Sequence, residues 1–426
     1  MEAIELSTGD SAGGAGAVGG AAFAPSYRRD FGLLLSGQFV SRLGDKMALV
    51  AFPVLVYGTT DSAFSTGVVL ALFTLPYVLF GVLAGAVIDR SRKRTLMISV
   101  DLVRAALVLA VPFVAPHSLA AVYGLAFVIA SASVFFEPCL LAFVPEIVPE
   151  DKLMRANSVL STGDNLTEIL GYLVAGAVIF SLSIRTVLVI DAGTFFVSAA
   201  ALALMGAGRM RVGRRATEHE NGTGPAARPH IGHEIAEGLR YLAGHPGLRA
   251  NTLLTIAVIA GVGASYPLSF LLAVEQFGGA WSFTLMEAAI AVGYLAGSIG
   301  LVIVARRVRK GLVITTSMTL VGAGFALIAS LTSLPAVLVV FALTGVANAV
   351  LLIAIDTYLQ ETIPAGLRGR VLGTRFTITQ GVYALGVLSA GALAVFVDLD
   401  WLFLGVGLIV ALPALAGPFW PVVRDA

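Results

Sequence analysis

Hydrophobic positions along this chain fall in long blocks separated by short polar connections. A helix rising 1.5 Å per residue needs about 20 apolar residues to cross a hydrocarbon layer of about 30 Å. Blocks of that length occupy 31–57, 66–88, 95–115, 118–142, 157–180, 186–206, 252–274, 284–304, 312–331, 335–358, 371–396 and 400–420. The pattern therefore predicts twelve spanning helices and an all-α membrane protein. One connection is longer and polar, at 207–250. Within it Ile231, Ile235, Leu239 and Leu242 recur at helical spacing, which predicts an amphipathic helix on the membrane surface.

The connections alternate in charge. Arg28 and Arg29 precede the first block; Arg90, Arg92, Lys93 and Arg94 follow the second; Lys152 and Arg155 follow the fourth. Bases return across 209–249, at Arg306 to Lys310, at Arg368 and Arg370, and at Arg424, whereas Arg185 is alone among the intervening loops. Clustered Lys and Arg stay on the cytoplasmic side. Both termini are expected there, in a multi-pass protein of the cell membrane.

Composition agrees with this picture. The chain has 426 residues, 58% hydrophobic and only 12% charged, with a mean hydropathy of +0.92, against about 25% charged residues in soluble domains. The single cysteine, Cys139, excludes an internal disulfide, and the five histidines lack metal-ligand spacing, so no metal or cofactor is expected. The first 27 residues, rich in Gly, Ala and Ser, have neither the basic start nor the apolar run of a secretory signal. They are expected to be a disordered tail.

The two sets of six blocks carry an internal repeat. Glu146, Pro149, Arg155, Gly171 and Gly176 return 215 positions later as Glu361, Pro364, Arg370, Gly386 and Gly391, and Pro53 returns 214 later as Pro267. The expected organisation is a tail over 1–27, a six-helix bundle over 28–206, a linker over 207–250 and a second six-helix bundle over 251–426.

Ionisable groups inside the blocks are the candidates for chemistry, because each costs about 2.5–3.5 kcal/mol at a helix centre and needs a partner, water or a task. Gln38, Arg42 and Asp45 share one face of the first span, beside Lys46. The third span has Asp101 and Arg104 at i, i+3, the fourth Glu137, and the fifth Asp164 and Glu168 at i, i+4. Running odd spans outward and even spans inward puts all of these in the cytoplasmic half or near the middle, where one polar cluster of three bases against five carboxylates is expected. An acid without a counter-charge in oil binds a proton more readily than it stays charged. The cluster therefore suggests proton binding. The competing reading makes Asp101–Arg104 and Arg42–Asp45 fixed structural ion pairs. Glu137 and Glu168, with no base on their own helices, are candidates for titration or for meeting a cationic substrate, or else for a structural hydrogen bond. Asp191 is expected to cap a helix near the outer interface, Glu275 and Glu287 to lie near the outer face, and Phe135, Phe136, Tyr172, Phe195 and Phe196 to line a cavity or face lipid.

A further stretch runs from Gly81 through Gly85 to Asp89, Arg90, Arg92, Lys93 and Arg94, where an apolar helix with two glycines ends in an acid and four bases. Glycines let helices approach closely in lipid. This signature resembles the one between the second and third helices of the major facilitator superfamily. Its second copy, Gly297 to Lys310, keeps the bases but has Ala305 in place of the acid. Gly37 to Asp45, Ala156-Asn157-Ser158 and Glu237 to Tyr241 with His245-Pro246 resemble the branch of macrolide efflux proteins and enterobactin exporters. That chain departs from the branch in two ways: it has Gly171-Tyr172 where the branch commonly has Gly-Pro, and its fourth span lacks an arginine that many drug antiporters use.

The resemblance implies two pseudo-symmetric six-helix bundles and proton-driven export of a small amphipathic compound, an antibiotic or a siderophore-like metabolite, by alternating access. It also implies a monomer whose partners are its substrate, protons and the lipid bilayer. Gly81, Gly85, Asp89, Arg90 and Arg94 would control the cytoplasmic gate, with Arg375 one possible partner for Asp89. The alternatives are an uptake symporter and, further off, a membrane sensor. The spans contain no catalytic triad or metal site, so an enzyme is not expected.

Overall fold

A computed structural model describes residues 27–206, 231–304, 310–364 and 367–415. The first bundle consists of α1 (Tyr27–Thr60), α2 (Ala63–Arg90), α3 (Lys93–Val114), α4 (Leu119–Ile147), α5 (Leu153–Ser181) and α6 (Ile184–Leu204). A short helix α7 (Ile231–Gly244) precedes the second bundle, which is α8 (Pro246–Gln276), α9 (Ala280–Val304), α10 (Lys310–Ile328), α11 (Leu334–Thr362), α12 (Arg368–Leu393) and α13 (Leu399–Leu415). Over the described residues, each apolar block of the sequence coincides with one long helix to within a few residues. Nine of them are long and apolar enough to cross a membrane by composition alone. Of the other three, the first and fifth fall short because α1 carries Arg42, Asp45 and Lys46 and α5 carries Asp164 and Glu168, and the last is too short over its described residues, Leu399–Ala414.

The helix ends follow local chemistry. Ser62, Ser118 and Ser183 cap α2, α4 and α6, each hydroxyl accepting from the amide three residues on, which satisfies a donor that the helix itself leaves open. Gly278 and Gly279, at φ of +81° and +105°, make the turn from α8 to α9, a conformation in which a Cβ would be strained. These caps and this turn share one end of the molecule. The clustered bases mark the other, called here the basic end.

The pairing of helices repeats between the bundles. In the first, α1 packs on α5 and α6, α3 on α4 and α6, and α2 on α4; in the second, α8 packs on α12 and α13, α10 on α11 and α13, and α9 on α11. The glycines found by the repeat occupy equivalent joints. Gly171 of α5 lies against the Lys46 side chain of α1, and Gly386 of α12 against the backbone of α8 at Ala260 and Ala264. Gly176 faces Trp281 and Thr284 of α9, and Gly391 meets Gly67 of α2. The last two joints connect the bundles. Hydrophobic side chains exposed around the outside, Phe113, Phe180, Leu204 and Phe396 among them, form the surface that lipid covers.

Two sequence expectations change. Gly81 and Gly85 are not close-packing positions, since a Cβ on either would meet nothing within 4 Å; the tight joint of α2 is at Gly67. In the second copy Gly297 does pack against α11, at Val346 and Ala349. The amphipathic helix α7 docks on protein as well as facing outward: Leu242 is buried, Gly238 presses on Arg370 and Thr374 of α12, and Glu237 accepts from Arg370 at 2.7 Å, while Leu239 is exposed. The side chains of Ile231 and Ile235 lie outside the described residues, as do 207–230 and Ala305. Gly171-Tyr172 leaves α5 continuous to Ser181, because nothing there removes a backbone donor as proline would.

Candidate functional site

Packing α1 between α5, α6 and α2 turns its Gln38–Arg42–Asp45 face into the first bundle. There a cavity of 440 Å³ is lined by all six helices of that bundle, including Gln38, Arg42, Asp45, Arg104, Glu137, Asp164 and Glu168. Asp101 stands apart: it is fully buried behind the cavity wall.

The charges pair between helices. Arg42 is shared, its Nη2 donating to Glu137 of α4 at 2.8 and 3.0 Å while Nη1 lies 2.9 Å from Asp164 of α5. Lys46 is 2.5 Å from Glu168 of α5 and sits over the Tyr172 ring at 5.1 Å. Arg104 reaches across from α3 to Asp45 of α1, with its guanidinium 4.0 Å above the Phe195 ring of α6. Gln38 donates to Ser198 of α6 at 3.1 Å. Both pairs expected along a single helix are thereby overturned. Residues three apart on one helix were available to each other, but each base extends instead to an acid on a neighbouring helix, where two helices are bound together.

The pairing leaves acid over. Asp101 makes no ion pair among the described residues, and the Ser198 side chain of α6 lies beside it. Asp191 is not an interfacial cap: it is fully buried in α6, lines the cavity and leaves Oδ2 without a partner among the described residues, while Thr194 donates to Oδ1 at 3.5 Å. Glu287 is not at the outer face either. It is 8% exposed in α9, at the junction of the bundles near Lys46 and Glu168. These two were missed because position along a span gives depth and not which side faces the bundle. Phe136 and Phe195 line the cavity, Tyr172 is buried beside it, and Phe196 is exposed.

Besides Glu287 and Arg375, the second bundle holds buried neutral polar groups: Asn251, Thr344 and Asn348 each keep a side-chain atom unpartnered. Arg375 donates to Thr255 at 2.7 Å and lies 3.5 Å from Asp356, all within that bundle. The Asp89 side chain lies outside the described residues. Of the remaining gate residues, Arg90 is exposed, and Arg94 donates to the carbonyls of Leu202 and Ala203 at 2.7 and 2.6 Å. A cation is well placed there, at the negative end of the α6 dipole.

Close contacts between the bundles gather toward the end opposite the bases. Tyr57 of α1 meets Phe270 of α8 edge-on at 5.7 Å, Phe180 of α5 faces Trp281 of α9 at 6.4 Å, and Gly67 touches Gly391. At the basic end Gly81 and Gly85 face open space. Among the described residues, the close contacts between the bundles lie at the end opposite the bases.

Residues 34–312 match the family described as the Major Facilitator Superfamily. The chain belongs to this superfamily. Like other major facilitator proteins it is a multi-pass membrane transporter of small molecules, not an enzyme. It is similar to the multidrug efflux pump Tap of Mycolicibacterium fortuitum, 28% identical over 92% of this chain and 96% of the pump. It is also similar to macrolide efflux protein A of Streptococcus pyogenes, 24% identical over 70% of this chain and 72% of that protein. Among solved structures, a bacterial homologue of the human lysosomal transporter Spinster, in an inward-facing and unoccupied conformation, superposes with a TM-score of 0.72, covering 93% of this chain and 98% of that one at 13% identity.

Proposed function

We propose that this transporter exports a small amphipathic organic compound, of antibiotic or siderophore-like type, in exchange for protons, acting as a monomer. The basic end and both termini are cytoplasmic, so the conformation described is open to the cytoplasm. The observation that carries the reading is the carboxylate surplus around one cavity. Three bases, Arg42, Lys46 and Arg104, face Asp45, Glu137, Asp164 and Glu168, and Asp101 and Asp191 have no base of their own. Substrate and proton compete for the same acids. A cationic or hydrogen-bonding substrate displaces Arg42 or Lys46 from its carboxylate, and protonation of that carboxylate releases the substrate, so the two occupy the site in turn. The efflux relatives, similar over most of the chain, support the outward direction.

The test is transport of a lipophilic cation into everted membrane vesicles with an acidic interior. The wild type accumulates the cation and the vesicle interior loses protons. Glu168→Gln and Asp45→Asn insert normally but lose accumulation against the gradient. Normal uphill rates in both variants would remove the coupling assignment.

A further inference from the structure

We infer that the first bundle carries a binding site for an anionic phospholipid, on the outer surface of α1 and α5 at the basic end. Two contiguous hollows make it. The first, of 330 Å³, gathers Tyr27 and Arg28 at the start of α1 with Lys152 and Arg155 at the start of α5. The second, of 550 Å³ and almost wholly apolar, continues along the same two helices between Leu35, Phe39 and Val40 on one side and Val159 and Leu166 on the other. Arg155 and Val159 line both.

The basic hollow is built for an anion. Arg28, Lys152 and Arg155 are all exposed, and Arg155 makes no ion pair among the described residues. Lys152 has only Asp151, at 3.8 Å, and Arg28 only the Tyr27 hydroxyl, at 3.4 Å. Three cations thus converge with one carboxylate beside them. Their joint field also reaches Tyr27, whose phenol is held below its ordinary range, chiefly by Arg28 and with help from Lys152.

The apolar groove fits a chain, not a free ion. From Arg155 to Leu166 is eleven residues of helix, about 16 Å at 1.5 Å per residue, close to one leaflet of a bilayer of about 30 Å. Val159 and Leu166 are substantially exposed along it, and Gly163 leaves it open, since a Cβ there would meet only Leu35, at 3.7 Å. The groove points away from the charged cavity: its residues of α1 lie off the face that carries Gln38 and Asp45. A headgroup phosphate among the bases with an acyl chain along the groove satisfies both hollows at once, and basic pockets between helices at the membrane surface are known to take such headgroups. The leaflet is the cytoplasmic one on the orientation proposed above, although the site itself does not depend on that orientation.

The experiment is native mass spectrometry of the full-length purified protein, titrated with phosphatidylglycerol and with phosphatidylcholine of identical acyl chains. The wild type is expected to retain the anionic lipid about tenfold more strongly than the zwitterionic one. The double variant Lys152→Gln/Arg155→Gln loses that preference, a change of about tenfold. Gly163→Leu, which fills the groove and leaves the bases, weakens both lipids. Circular dichroism and gel filtration verify that each variant is folded. Equal retention of the two lipids by the wild type, or an unchanged preference in the double variant, overturns the site. Displacement of phosphatidylglycerol by inorganic phosphate, with Gly163→Leu binding as wild type, would make it a free-anion site and overturns the lipid assignment. Neither result bears on export, which the vesicle assay decides separately.

Discussion

Arg42 holds two acids from two different helices, and this single side chain shows what a residue can and cannot reveal by its spacing. Its presence in an apolar block announced a task; its partners were hidden. Glu137 and Asp164 lie 95 and 122 positions away along the chain, and only the packing of α4 and α5 against α1 brings them to the guanidinium. Arg42→Gln leaves two carboxylates facing each other without a cation, and like charges at such a distance repel. On the proposed export function, its transport is expected to fall at least about tenfold, on the scale of a lost charge-assisted hydrogen bond. The second change Glu137→Gln, which relieves the repulsion, restores part of it. A susceptibility assay on cells carrying the single and double variants measures both, and a double variant no better than the single would remove the shared-cation role. Asp191→Asn tests the acid that spacing missed. Export is expected to lose its dependence on the pH gradient while surface expression stays normal, as read by vesicle uptake at matched and unmatched pH.

Among the helices, glycine decides where two can touch. Gly391 and Gly67 bring α12 and α2 together, and a Cβ on Gly391 would stand 3.0 Å from the Gly67 Cα and 3.2 Å from the Ala63 carbonyl. Gly391→Leu therefore pushes the bundles apart at the end opposite the bases. Overpacking of this kind costs about 1–3 kcal/mol. A lowered Tm in detergent, with loss of transport, is the expected outcome. Gly81→Leu is the contrasting case. Its side chain enters open space in this conformation, so Tm is unchanged, but it obstructs the approach of the bundles at the basic end and transport falls. A thermal-shift assay beside an uptake assay separates the two. If Gly81→Leu transports normally, that end does not close through α2. The glycines of the opening signature were visible in the sequence, but their looseness was not, because closeness depends on which state the bundles occupy.

The whole molecule is two copies of one bundle with unequal contents. The first copy holds the paired charges around its cavity; the second holds buried neutral polar groups with the buried acid Glu287, and keeps Arg375 to itself. On the proposed coupling, such an asymmetry would have one bundle bind protons while the other supplies a surface to rock against. The orientation is testable on the same scale, because the chain has one cysteine, Cys139, and it is buried. In a Cys139→Ala background, His117→Cys at the capped end is expected to react in whole cells with a membrane-impermeant thiol reagent, and Asp151→Cys at the basic end to react only after the cells are opened. The reverse pattern would invert the proposed topology, and with it the direction assigned to the open end.

The sequence by itself determined the helices, their number and the duplication. These follow from local rules: an apolar run of sufficient length must be helical in oil, since no water is present to satisfy its backbone. Only the tertiary structure decided which acid meets which base, that Asp191 and Glu287 are buried rather than interfacial, and that the tight joint of α2 is at Gly67 and not at Gly81. The physical reason is common to all three. An ion pair or a close approach between helices depends on how each helix is rotated about its axis and on which helix lies next to it, and those are fixed by the packing of many distant residues together.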